Sequence, residues 1–151
     1  MRSKYIEVRM TGKQQRFAEL LKKHTLRVTK PRIAVLDVIS DKEVAVSQPD
    51  LEKLLGREID RVTLYRCLAT FEEKGILHKV FDLHGTAAYA MCNASCSAEQ
   101  HADQHVHFIC SRCNQVYCLD DIKLPQLHIP QNYRLEQVGV NAIGICGACN
   151  Q

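Results

Sequence analysis

Apolar residues recur at helical spacing through the first half of the chain. Phe17, Leu20 and Leu21, followed by His24, share one face of a Lys/Arg-rich stretch, which predicts an amphipathic first helix. Thr29 as N-cap and Pro31 in the first turn predict a second helix, lined by Ile33, Leu36 and Ile39 and running to about Ser40. Ser47-Gln48-Pro49-Asp50 repeats that start signal ahead of Leu51, Leu54 and Leu55, and Gly56 supplies a stop, so a short third helix is expected. Asp60 caps a fourth helix whose stripe of Leu64, Leu68 and Phe71 turns inward and whose end is marked by Lys74-Gly75.

Beyond that point the pattern changes. Two short apolar runs, Ile76 to Phe81 and Thr86 to Met91, flank Asp82-Leu83-His84-Gly85 and predict a β-hairpin. Three helices, a recognition-type helix and a hairpin together predict a winged helix-turn-helix. A polar stretch then runs from Asn93 to Gln104, and Val106 to Ile109, Val116 to Leu119 and Arg134 to Ile145 are strand candidates. Pro125 and Pro130 argue against a long helix between the last two. The chain is expected to be α+β: a winged-helix domain over residues 1–84, a hinge and metal-binding segment over 85–105, and a small α/β domain over 106–151.

Charge separates the halves more sharply than hydropathy does. The net charge of the 151 residues is +3, but up to Val80 there are 17 Lys/Arg against 11 Asp/Glu, and after it 3 against 6. The first half suits a polyanion and the second does something else. No run of about 18 apolar residues is present, which excludes a membrane-spanning helix. The stretch from Met1 to Arg9 has no apolar core of signal-peptide length, so a cytoplasmic location is expected.

Cysteine is the third asymmetry. Only Cys67 lies in the first half, while Cys92, Cys96, Cys110, Cys113, Cys118, Cys146 and Cys149 lie in the second, with five of the seven histidines. In a reducing compartment such clusters read as metal ligands rather than disulfides. Cys110-x-x-Cys113 and Cys146-x-x-Cys149 each offer two thiolates to a shared tetrahedral zinc, a structural role that would tie the last strand to the first across a gap of 32 residues. A thioredoxin-like redox pair is the rival, but neither motif opens a helix after a parallel strand. His105-x-His107 on a strand would turn both imidazoles to one face. Near it in sequence or expected fold are His78, Cys92, Cys96, His101 and Cys118. His24, His84 and His128 read as ordinary surface or core residues.

For nucleic acid, Arg27, Lys30 and Arg32 precede or open the second helix, and Arg61, Thr63, Tyr65 and Arg66 lie on the fourth. Arginine reads guanine edges or phosphates, threonine a thymine methyl, tyrosine a phosphate or base. Core packing is the competing role for Tyr65, and a solvated surface position that for Arg27.

Leu26-Arg-Val-Thr-Lys-Pro-Arg32, Arg61-Val-Thr-Leu-Tyr-Arg66, Glu73-Lys-Gly-Ile-Leu77 and His105-x-His107-Phe-Ile-Cys110-x-x-Cys113 occur in that order. In these motifs the chain resembles the ferric uptake regulator family of metal-sensing transcription regulators, from about Lys22 to Cys149, and most resembles its zinc uptake branch. The resemblance implies a homodimer paired through the C-terminal domains, structural zinc on Cys110, Cys113, Cys146 and Cys149, and a sensory zinc on His78, Cys92, His105 and His107. It also implies double-stranded operator DNA as the partner, met by Arg27, Arg32, Arg61, Thr63, Tyr65 and Arg66.

The chain departs from the family pattern in five places: the Cys92 to Cys110 segment is long, which leaves Cys96 or His101 open as a replacement for one of the sensory ligands, Pro125 and Pro130 lie where relatives often have a helix, and three single positions differ. Glu43-Val44-Ala45 stands where the family has a linker histidine, Val106 where it has a first-strand aspartate, and Cys118 where it has a carboxylate. Cys118 is open to three roles: sulfur ligand, redox-sensitive thiol or buried side chain. The expected function is a zinc-responsive repressor of metal-homeostasis genes, with no enzymatic activity. An iron- or peroxide-responsive regulator of the same family, a thiol-disulfide redox protein, and a zinc-stabilised interaction module are the alternatives.

Overall fold

The computed structural model describes residues 10–92, 105–122, 124–136 and 138–151. α1 (Gly12–Lys23) begins earlier than the apolar pattern signals, because its first turn is polar and is set by a capping box. The Gln14 amide donates to Thr11 Oγ1 at 3.2 Å and the Thr11 amide to Gln14 Oε1 at 3.1 Å. The helix closes on Thr25 in the left-handed region (φ 56), where the Leu26 amide donates to the Leu21 carbonyl at 2.8 Å. α2 (Lys30–Ser40) follows Thr29, whose side chain makes no capping hydrogen bond.

β1 (Val46–Ser47), which the pattern does not predict, leads into α3 (Gln48–Leu55), where Ser47 Oγ accepts from the Asp50 amide at 3.2 Å. α4 (Arg61–Glu73) starts on Asp60, whose Oδ1 accepts from the Thr63 amide at 2.9 Å. It ends on Gly75 (φ 69), with the Ile76 amide donating back to the Phe71 carbonyl. Leu21, Leu36, Leu51, Leu64 and Phe71 meet in one core with Leu77 of the wing. Each such burial contributes about 1.5–3 kcal/mol, so the helices hold one another rather than standing by propensity.

The wing pairs β2 (Leu77–Phe81) antiparallel with β3 (Ala87–Met91), Leu77 opposite Met91 and Phe81 opposite Ala87. β1 adds to the other edge of β3, Val46 opposite Tyr89. The wing sheet therefore continues to Met91, beyond the turn at residue 84.

A second sheet has the order β5-β4-β6, from β4 (Val106–Cys110), β5 (Val116–Leu119) and β6 (Val140–Gly144). β4 and β5 are antiparallel, with His107 opposite Cys118; β4 and β6 are parallel, with Cys110 opposite Gly144. A parallel pair needs a long connection, which residues 111–139, β5 among them, supply. Two expectations are corrected here. The last strand occupies Val140–Gly144 rather than Arg134 to Ile145, and among the described residues after Cys92 there are strands and no helix, so the α/β domain expected there is a β domain. Pro125 and Pro130 lie in non-helical backbone on that connection, consistent with the missing amide donors.

The two sheets touch. Ala45, Val80 and Ala88 pack on Ile109 and Val116, the Ala45 amide donates to the Val116 carbonyl at 2.9 Å, and Val44 bridges to Tyr117. Among the described residues no helix is long and apolar enough to cross a membrane.

Candidate functional site

The parallel register of β4 and β6 brings the two Cys-x-x-Cys motifs to the same end of the sheet. Cys110 closes β4, Cys146 follows β6 by two residues, and the Ser111 amide donates to the Gly144 carbonyl at 2.7 Å. Sulfurs of Cys110, Cys113, Cys146 and Cys149 all lie within 4.8 Å of one another. Cys113 Sγ and Cys146 Sγ are 3.8 Å apart. Two thiolates at about 2.3 Å from a tetrahedral zinc stand about 3.8 Å apart, so the spacing fits that ion.

The electrostatics fit as well. The amides of Cys113 and Cys146 hold the Cys110 thiol down to about 6. The Tyr117 phenol, pushed up to about 12 by its hydrogen bond to Cys146, holds the Cys146 thiol below the usual range. Cys149 is pushed up to about 12, because Cys146 and Cys113 crowd it. Four thiols this close ionise together only when a cation compensates the repulsion, as zinc does.

A second cluster lies between the sheets. His78 on β2 and His105, just before β4, are buried, and His107 on β4 is half-buried. Their ring centroids are 5.0 Å (78 to 105), 5.3 Å (78 to 107) and 4.5 Å (105 to 107) apart. Cys118 on β5, cross-strand from His107, completes a set of four whose ligand atoms lie within 4.8 Å of one another. Its Sγ is 3.3 Å from His78 Nε2, against about 3.5 Å for a nitrogen and a sulfur sharing tetrahedral zinc.

Cys92, expected as the thiolate of this site, is not one of those four. It continues the wing ladder, its amide donating to the Ile76 carbonyl at 3.0 Å, which sets its sulfur 3.7 Å from the other ring nitrogen of His78, Nδ1. Cys96 and His101 lie outside the described residues. Asp120, missed in the sequence, extends the β5 alternation from Cys118 and places Oδ1 3.4 Å from His105 Nδ1. A carboxylate there orients the opposite nitrogen of the ring toward a metal. Its period-two spacing from Cys118 was the available signal.

The basic residues fall into two groups. Arg27, Arg32, Thr63 and Arg66 line one concavity between the start of α2 and α4. Arg32 Nη1 donates to the Arg27 carbonyl at 2.7 Å, and the Thr63 hydroxyl donates to Asp60 Oδ2 at 2.6 Å. Arg61 and Tyr65 belong instead to a cluster with Glu52 of α3, another residue the sequence did not single out. Tyr65 is half-buried and hydrogen-bonded rather than a core residue.

Comparison with known proteins agrees with this geometry. The model of the ferric uptake regulator family matches residues 23–145. A ferric uptake regulation protein of Neisseria meningitidis serogroup A is 31% identical over 137 residues, covering 85% of this chain and 90% of that protein. The zinc uptake regulation protein of Escherichia coli K12 is 30% identical over 131 residues, covering 82% and 73%. The structure of a zinc uptake regulator complexed with zinc and DNA superposes with a TM-score of 0.64 at 24% identity, covering 93% of this chain and 97% of that one.

Proposed function

The chain belongs to the ferric uptake regulator family, and from that premise we propose that it is a zinc-responsive repressor of metal-homeostasis genes, acting in the cytoplasm as a homodimer on double-stranded operator DNA. It is a metal-responsive, DNA-binding transcription regulator and not an enzyme. Relatives named for iron and for zinc match it almost equally, at 31% and 30% identity, so overall likeness does not select the metal. The donor set does. Three imidazoles and a thiolate within 4.8 Å favour zinc, whereas iron(II) and manganese sites draw on carboxylates.

In this reading His78, His105, His107 and Cys118 hold the sensory zinc, with Cys92 beside His78 and Asp120 behind His105. Cys110, Cys113, Cys146 and Cys149 hold the structural one. The sensory residues come from both sheets, His78 from the wing and the others from or beside β4 and β5. Drawing them together fixes the wing and α4 against the second sheet, and in a dimer fixes the spacing of two recognition helices for two half-sites. The coupling is reciprocal: zinc tightens DNA binding by the factor with which DNA tightens zinc binding. Arg27, Arg32, Thr63 and Arg66 in their shared concavity, with Arg61 and Tyr65, face the duplex.

The test is to select a duplex from a random-sequence pool with zinc-loaded protein and titrate it in buffered zinc and, anaerobically, in buffered iron(II). The expected result is binding at a lower free zinc than free iron(II), with Arg66→Ala weakening it by about 1–3 kcal/mol if that arginine reads a base. Binding driven by iron(II) alone, or lost on peroxide treatment with zinc retained, would overturn zinc sensing.

A further inference from the structure

We infer that Glu52 on α3 is a positioning residue for sequence discrimination, holding Tyr65, and through it Arg61, in one arrangement on α4. This rests on α4 being the DNA-reading helix. The Tyr65 hydroxyl donates to Glu52 Oε1 at 2.6 Å and accepts from Arg61 Nε at 3.2 Å and Nη2 at 3.0 Å. Arg61 Nε is also 3.4 Å from Glu52 Oε1, and the guanidinium carbon lies 5.3 Å from the Tyr65 ring centre. The phenol is thereby used as donor and as acceptor. The inner side of the guanidinium is engaged, and the Nη1 side is left for a guanine edge or a phosphate.

A carboxylate at this place is costly for mere adhesion to DNA, because it repels phosphates and neutralises an arginine. Its compensating effect is order. The Arg61 side chain is 72% exposed and Glu52's is 32% exposed, so without the buttress the arginine would sample many rotamers at the helix start. A freely moving arginine finds phosphates as readily as base edges; a fixed one presents its fork in a single direction. Glu52 therefore lowers affinity for all DNA while raising the difference between right and wrong sequences.

The two effects separate in one experiment. Zinc-loaded parent, Glu52→Ala, Glu52→Gln and Tyr65→Phe are titrated against a duplex selected from a random pool by the parent and against a scrambled duplex of the same composition, with melting recorded for each. Glu52→Ala should bind the scrambled duplex more tightly than the parent does and lose about tenfold in the ratio of the two affinities. Glu52→Gln keeps an oxygen for the Tyr65 hydroxyl and should retain most of the ratio. Tyr65→Phe should lose it, with no further loss in the double variant Glu52→Ala/Tyr65→Phe. An unchanged ratio in Glu52→Ala overturns the inference, as does an equal fall on both duplexes. If the parent itself distinguishes no duplex, the reading of α4 fails and the inference with it; if only the ratio test fails, the reading of α4 stands.

Discussion

Asn114 joins the wing to the cysteine knuckle: its Nδ2 donates to Asp82 Oδ2 at 2.7 Å, and its Oδ1 accepts from the Leu83 amide at 3.2 Å. It follows Cys113 directly and sits at φ 59. Asn114→Gly keeps the backbone shape and removes only the side-chain bonds, so it should destabilise by about 1–2 kcal/mol. Asn114→Ala should cost more, by about 1 kcal/mol, because alanine resists the left-handed region. Denaturant unfolding ranks the two, and amide exchange at Leu83 should accelerate in both; unchanged Leu83 exchange would show that the wing turn does not depend on the knuckle.

The cysteine cluster should bind metal as a unit. Cys113→Ser or Cys146→Ser is expected to lose one tightly held zinc per chain and several kcal/mol of stability, since the binding energy of a structural zinc is folding energy. Metal content per chain and melting report this. Thiol reagents should modify the four sulfurs of the parent slowly until a chelator is added. Rapid modification without chelator, at full zinc content, would point back to redox chemistry.

Cys118 and Cys92 flank His78 on opposite ring nitrogens, so their variants should rank in a definite order. Cys118→Ser should abolish zinc-dependent DNA binding at the parent's zinc threshold. Cys92→Ser, acting on His78 from outside the set of four, should move that threshold by about 10- to 100-fold at most. The reverse ranking would return the ligand role to Cys92.

Thr25 stores backbone strain at the end of α1. A β-branched residue at φ 56 costs about 1 kcal/mol relative to glycine, and its hydroxyl contributes only a bond to the adjacent His24 carbonyl. Thr25→Gly should therefore raise the melting temperature by about 2–4 °C in a chain of this size. A lower melting temperature would mean that relief of the left-handed strain is outweighed by the chain entropy that glycine adds to the unfolded state.

Local chemistry made much of this protein legible in the sequence. Capping residues set the starts of α3 and α4, a first-turn proline and apolar spacing that of α2, the glycine at 75 the end of α4, and two short apolar runs around a turn the hairpin, because these signals act within one or two turns of chain. The paired cysteine motifs announced a four-sulfur cluster through their own spacing. What sequence spacing did not decide depends on register between distant segments. Parallel pairing of β4 with β6 put the two cysteine motifs at one end of a sheet, and antiparallel pairing of β4 with β5 put Cys118 opposite His107. Likewise Glu52 reaches Tyr65 only because α3 packs beside α4, and β1 exists only because β3 offers it an edge. Short-range hydrogen bonds fix elements, while the choice among nearby donors is made by strand register and packing, which no single segment of the chain contains.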